Sequence, residues 1–162
     1  MDNLEVPLFI GTDVWNKAHY FSRVHRVVEY LAEHFAEPID LQTVASVACM
    51  ERTAFSKSFK QKVGITFREF LQAYRISKAV AMIANSDNPL VQIAFDVGFN
   101  NVATFDRVFK KLASDTPSHY RSQFLHRISA TGSSARVEHN LYSRGMTYTD
   151  PRTGKDNSAK MR

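Results

Sequence analysis

Two stretches of the 162-residue sequence combine donor-rich side chains with regularly spaced phenylalanines. In the first, Thr53, Ser56, Lys57 and Lys60 recur at i, i+3, i+4 and i+7, opposite Phe55 and Phe59. Arg52 opens that stretch and Ala54 lies beside Thr53. In the second, Asn100 and Asn101 lead into Ala103, Thr104, Asp106, Arg107 and Lys110, opposite Phe105 and Phe109. These residue types are suited to holding and reading a polyanion. An arginine at a helix start can pair with guanine O6 and N7, worth about 1–3 kcal/mol of discrimination. Asparagine can read adenine, small side chains can meet a thymine methyl, and lysines can serve bases or phosphates. Asp106 is expected to pair with Arg107 or Lys110 rather than read a base, so the second stretch should position more than it specifies.

No residue set points to bond-making chemistry. The six histidines, His19, His25, His34, His119, His126 and His139, show no metal-protease spacing, and neither a phosphate loop nor a nucleophile elbow occurs. No enzyme activity, cofactor or metal is expected. The one cysteine, Cys49, gives no intramolecular disulfide, and beside apolar helix residues it reads as a small hydrophobe. No apolar run approaches the ~20 residues of a membrane span, and the acidic start is unlike a secretory signal. The expected setting is a reducing cytoplasm without membrane contact. Net charge is +5, distributed as −2 over residues 1–21, +3 over 22–124 and +4 over 125–162. That balance favours nucleic acid weakly.

The elements that must position these residues follow from periodicity. Val24, Val27, Val28, Leu31 and Phe35 form one helical stripe after Ser22, read as its N-cap, and before Pro38. Asp40 caps a short helix, 41–48, and Cys49–Met50 turn into a second, 52–63, stopped by Gly64. Thr66-Phe67-Arg68-Glu69 is a capping box opening a longer helix through about Ala84. A short helix over 89–97, a turn at Gly98 and a helix over 102–113 follow, then one from Thr116-Pro117 to about Phe124. Residues 1–21 read as an irregular lead-in whose aromatics pack on the domain. Residues 125–162 read as a flexible basic tail with a candidate ordered piece near 137–148. Lys111, Arg121, Arg127, Arg136 and Arg144 are candidate phosphate contacts.

The short-turn-long unit occurs twice. Residues 54–60 align with 104–110 at an offset of 50, and Leu41, Val44, Ala45 and Ala48 align with Leu90, Ile93, Ala94 and Val97 at 49. Each copy has a helix-turn-helix layout, whose second helix can enter a major groove. The linker helix of about 19 residues is roughly 28 Å long at ~1.5 Å per residue. Major-groove segments on one DNA face lie about 34 Å apart. The expected architecture is therefore all-α: about seven helices forming two helix-turn-helix subdomains (about 41–63 and 89–113) on a linker helix (about 66–84).

These residues resemble the AraC/XylS family of bacterial transcriptional regulators over about 22–124. The second unit carries Ile93-Ala94-Phe95-Asp96-Val97-Gly98-Phe99, Phe105, Arg107, Phe109-Lys110-Lys111, Thr116-Pro117 and Tyr120-Arg121. The first unit and linker carry Leu41, Val44-Ala45, Phe59-Lys60, Gly64, Arg75 and Ala79. Three positions depart from the family pattern. Cys49 and Ser114 stand where glycine is usual, and Glu51 replaces a capping serine, which should weaken that cap. The resemblance implies a sequence-specific regulator of double-stranded DNA, an activator rather than a repressor, acting with RNA polymerase at the bacterial nucleoid. Only 21 residues precede the domain, so the reading is a standalone DNA-binding region with no small-molecule effector evident, the alternative being a fragment of a longer gene. The competing reading is a helical module that binds another protein and has no DNA specificity of its own.

Overall fold

The computed structural model describes residues 7–131. Every regular element among them is helical: α1 Thr12–Tyr20, α2 Ser22–His34, α3 Leu41–Val47, α4 Arg52–Val63, α5 Phe67–Asn85, α6 Leu90–Asp96, α7 Val102–Ala113 and α8 Pro117–Thr131. The all-α expectation holds, with eight helices among the described residues where about seven are predicted.

The added helix is α1, in the stretch read as irregular. Trp15 and Ala18 sit one turn apart on its buried face, and the Trp15 ring stacks on Phe70 and Tyr74 at 6.2 and 6.3 Å. Packing against α2 and α4, with Trp15 reaching α5, stabilises a nine-residue helix that is too short to persist alone. Its N-cap, Gly11, makes no side-chain cap bond, so no local signal announces it. At the other end α8 continues to Thr131, past the stop expected near Phe124. The rest of the predicted tail, including 137–148, lies outside the described residues.

Helix ends follow their local chemistry. Asp40 accepts from the Thr43 amide at 2.7 Å, which starts α3. Thr66 and Glu69 close the predicted capping box at α5. Ser22 does not cap α2; it is the first helical residue, and Phe21 precedes it without a side-chain bond.

Apolar side chains form two clusters that share α5. The first joins α1, α2, α3, α4 and the N-terminal half of α5, around Phe55, Phe59 and Phe70. The second joins the C-terminal half of α5 with α6 and α7, around Ile76, Phe105 and Phe109. Edge-to-face ring pairs, such as Phe59–Phe70 and Phe99–Phe105, run through both. Phe9, Phe35 and Leu112 touch both clusters.

Candidate nucleic-acid interface

In the first unit, α3 and α4 meet through a tight turn at Cys49, where φ is 53°. This is the left-handed region that glycine adopts more easily. Cys49 is exposed rather than packed as a small hydrophobe, and its Sγ lies 3.7 Å from Arg26 Nη1. Gly98 makes the equivalent turn between α6 and α7, with φ 88°. Ser114, the third position of departure, has φ 57° at the end of α7.

Glu51 caps α4 more fully than predicted. Its Oε2 accepts from the amides of Thr53 at 2.7 Å and Ala54 at 3.0 Å. Those two amide bonds, Thr53 first, hold the carboxyl below its ordinary pKa. A glutamate reaches two of the orphan amides at a helix start, so exchanging serine for Glu51 does not leave the helix uncapped.

Phe55, Phe59 and Val63 are buried, which turns the opposite face of α4 outward. Arg52, Thr53, Ala54, Ser56, Lys57 and Lys60 are all exposed on it. The second unit repeats this arrangement. Phe105, Val108 and Phe109 are buried, while Asn100, Asn101, Ala103, Arg107 and Lys110 are exposed and Thr104 is half-buried. Among the described residues none of Arg52, Lys57, Lys60, Arg107 or Lys110 forms an ion pair. The cations of both faces are thus available to a ligand.

Several expectations need correction. Asp106 makes no ion pair with Arg107 or Lys110 among the described residues; it is exposed and remains a negative charge on the second face. Asn101 spends its side-chain oxygen on capping α7, accepting from the Thr104 amide at 2.8 Å. One of that oxygen's two lone pairs is thus taken and the cap fixes the amide's orientation, while its NH2 remains free to donate. Arg121 is a structural tie, because its Nη2 donates to the Asn88 carbonyl at 2.7 Å. Lys111 is exposed, and Arg127, Arg136 and Arg144 lie outside the described side chains.

The two outward faces border one cleft of about 560 Å³, lined by Ser56 of α4, Thr104 of α7 and the α5 residues between them. Contacts between the units fix its walls. Arg75 of α5 donates from Nε to the Phe35 carbonyl at 2.7 Å and from Nη2 to the Glu37 carbonyl at 2.8 Å. Burial lowers the guanidinium's pKa, and the two carbonyl oxygens, beyond the last turn of α2, give it its partners. The Gly98 turn lies against Ala36, so close that a Cβ there would come within 2.7 Å of the Ala36 oxygen.

Known proteins resemble this chain in sequence and fold. The family described as "Helix-turn-helix domain" matches residues 44–123. The arabinose operon regulatory protein of Salmonella typhimurium is 31% identical over 102 residues, which are 62% of this chain and 36% of that protein. An uncharacterized HTH-type transcriptional regulator of Staphylococcus aureus is 30% identical over 122 residues, 75% of this chain. The chain spans 16% of that relative's length. Among solved structures, the DNA-binding domain of AdpA, determined in complex with a target DNA, has a TM-score of 0.61 at 26% identity, covering 64% of this chain and 93% of that one. A Listeria innocua protein has a TM-score of 0.58 at 29% identity, covering 62% and 95%. With these likenesses joined to the doubled unit and its paired outward faces, the chain belongs to the AraC/XylS family of helix-turn-helix transcriptional regulators.

Proposed function

We propose that α4 and α7 enter two successive major-groove segments on one face of duplex DNA, and that the chain thereby reads a two-box site. The observation that carries this reading is the pair of exposed faces, both rich in unpaired donors and both bordering one cleft. α5 has 19 residues, roughly 28 Å at ~1.5 Å each, near the ~34 Å repeat of the groove. In this reading Arg52, Thr53, Ala54, Ser56, Lys57 and Lys60 supply most of the base preference. Asn100, Ala103, Thr104, Arg107 and Lys110 supply a weaker preference and more of the grip, since Asp106 opposes the phosphates and Asn101 is committed to its cap.

Selection from a random duplex pool at two salt concentrations tests the reading. Enrichment of two short boxes about one helical turn apart is expected. Enrichment of one box would restrict reading to a single head. The competing reading, a protein-binding helical module, is favoured by Val91 and Phe95, which stand 51% and 47% exposed on α6. Duplex binding that weakens with a log–log salt slope of about −0.9 per phosphate separates the two. Activation through RNA polymerase in a bacterial cytoplasm extends the reading by family likeness. Run-off transcription from a template bearing the selected site should rise with added protein, and a fall would make the chain a repressor.

A further inference from the structure

The cleft between the reading faces carries polar groups that base reading does not use. Arg68 and Gln72 of α5 line it, together with Ser56, Asn100, Asn101 and Thr104. No carboxylate is among its lining residues. Arg68 is exposed, and among the described residues its side chain makes no ion pair or hydrogen bond. Arg75, which also lines the cleft, is by contrast tied to two backbone carbonyls. Glu69, next in sequence to Arg68, is held by the Thr66 amide and hydroxyl at 2.9 and 2.7 Å. Arg68 does nothing for α5 itself, because a cation in a first turn opposes the helix dipole.

Two heads in successive major-groove segments of one DNA face straddle the minor groove between them. What faces the cleft is then the sugar-phosphate backbone, which carries full charge and accepts hydrogen bonds. An unpaired guanidinium, side-chain amides and hydroxyls, with no acid among the lining residues, match that chemistry. We propose that this cleft seats DNA phosphate, with Arg68 as the charged anchor and Gln72 as a neutral donor beside it. The proposal rests on the two-headed reading above and deepens it. Arg68 is a positioning residue that adds affinity and fixes register without choosing a base.

The test titrates the selected duplex with wild type, Arg68→Ala and Arg68→Lys over a salt series. Arg68→Ala should weaken binding roughly tenfold on every sequence, as loss of one charged hydrogen-bonding contact does. Its log–log salt slope should shrink by about 0.9, the value for one phosphate. Arg68→Lys should restore the slope, and the ranking of bases should stay unchanged. A duplex with uncharged methylphosphonates between the boxes should weaken wild type while barely affecting Arg68→Ala. Because Arg68 is exposed, the melting curves should coincide. An unchanged affinity and slope for Arg68→Ala would overturn the seat, as would an altered base preference. A wild type that binds duplex with no salt dependence would instead overturn the two-headed reading, before any variant is made.

Discussion

At Glu51 helix α4 is held by a carboxylate whose two partners, the amides of Thr53 and Ala54, belong to the proposed reading face itself. These bonds are stronger to the ionised form, so the folded-state pKa lies below the ordinary 4.5. The sign follows by linkage: the stabilisation is complete above about pH 4.5 and is lost as pH falls through the depressed folded value. Glu51→Gln keeps an acceptor oxygen and removes the titration. Its melting temperature should sit below wild type at pH 6–7, and the difference should close as both are acidified past the wild-type carboxyl. A difference that stays constant with pH would show that the charge is not involved. Cys49 makes the opposite kind of case, a side chain at φ 53° where glycine is easier. Cys49→Gly should raise stability by roughly 0.5–1 kcal/mol, the left-handed cost less glycine's added entropy. A denaturant titration that shows a loss would place the strain elsewhere.

Helices α4 and α7 each depend on two phenylalanines a turn apart. Phe59 is fully buried and meets Phe55, Phe67 and Phe70 at 5.5–5.7 Å; Phe109 meets Phe105 and Tyr120 at 5.6 and 5.7 Å. Phe59→Ala or Phe109→Ala should cost about 3–5 kcal/mol, read as a large fall in the unfolding midpoint. An unmoved midpoint would contradict the packing. Such elements are legible in the sequence because one helix supplies both its buried stripe and its exposed face. Helix α1 was not legible, since its largest buried side chain, Trp15, gains ring partners on α5, more than fifty residues away. The same limit applies at the site. Spacing found the exposed donors of α4 and α7, but Asn101's capping bond depends on the local backbone path. Arg68's place in the cleft depends on how α7 docks beside α5.

The whole molecule acts as a two-box reader only if the units keep a fixed spacing, and three contacts hold it. Arg75 spans from α5 to the carbonyls of Phe35 and Glu37, and Phe9 donates its amide to Ser77 Oγ at 3.2 Å. Gly98 closes onto Ala36 with no room for a side chain. Gly64 provides the internal comparison, because its φ of 98° is as demanding while a Cβ there meets nothing within 4 Å. Gly64→Ala should therefore cost only the backbone strain, roughly 1–2 kcal/mol, and leave two-box binding intact. Gly98→Ala carries comparable strain plus a clash with backbone, adding roughly 1–3 kcal/mol if the units stay docked. The units can relieve that clash by separating, which loosens the distance between α4 and α7. Binding should then fall on the preferred site and tolerate one base pair more or less between the boxes better than wild type does. If the two variants lose equal stability and keep the same spacing preference, the Gly98–Ala36 contact does not set the distance between the heads.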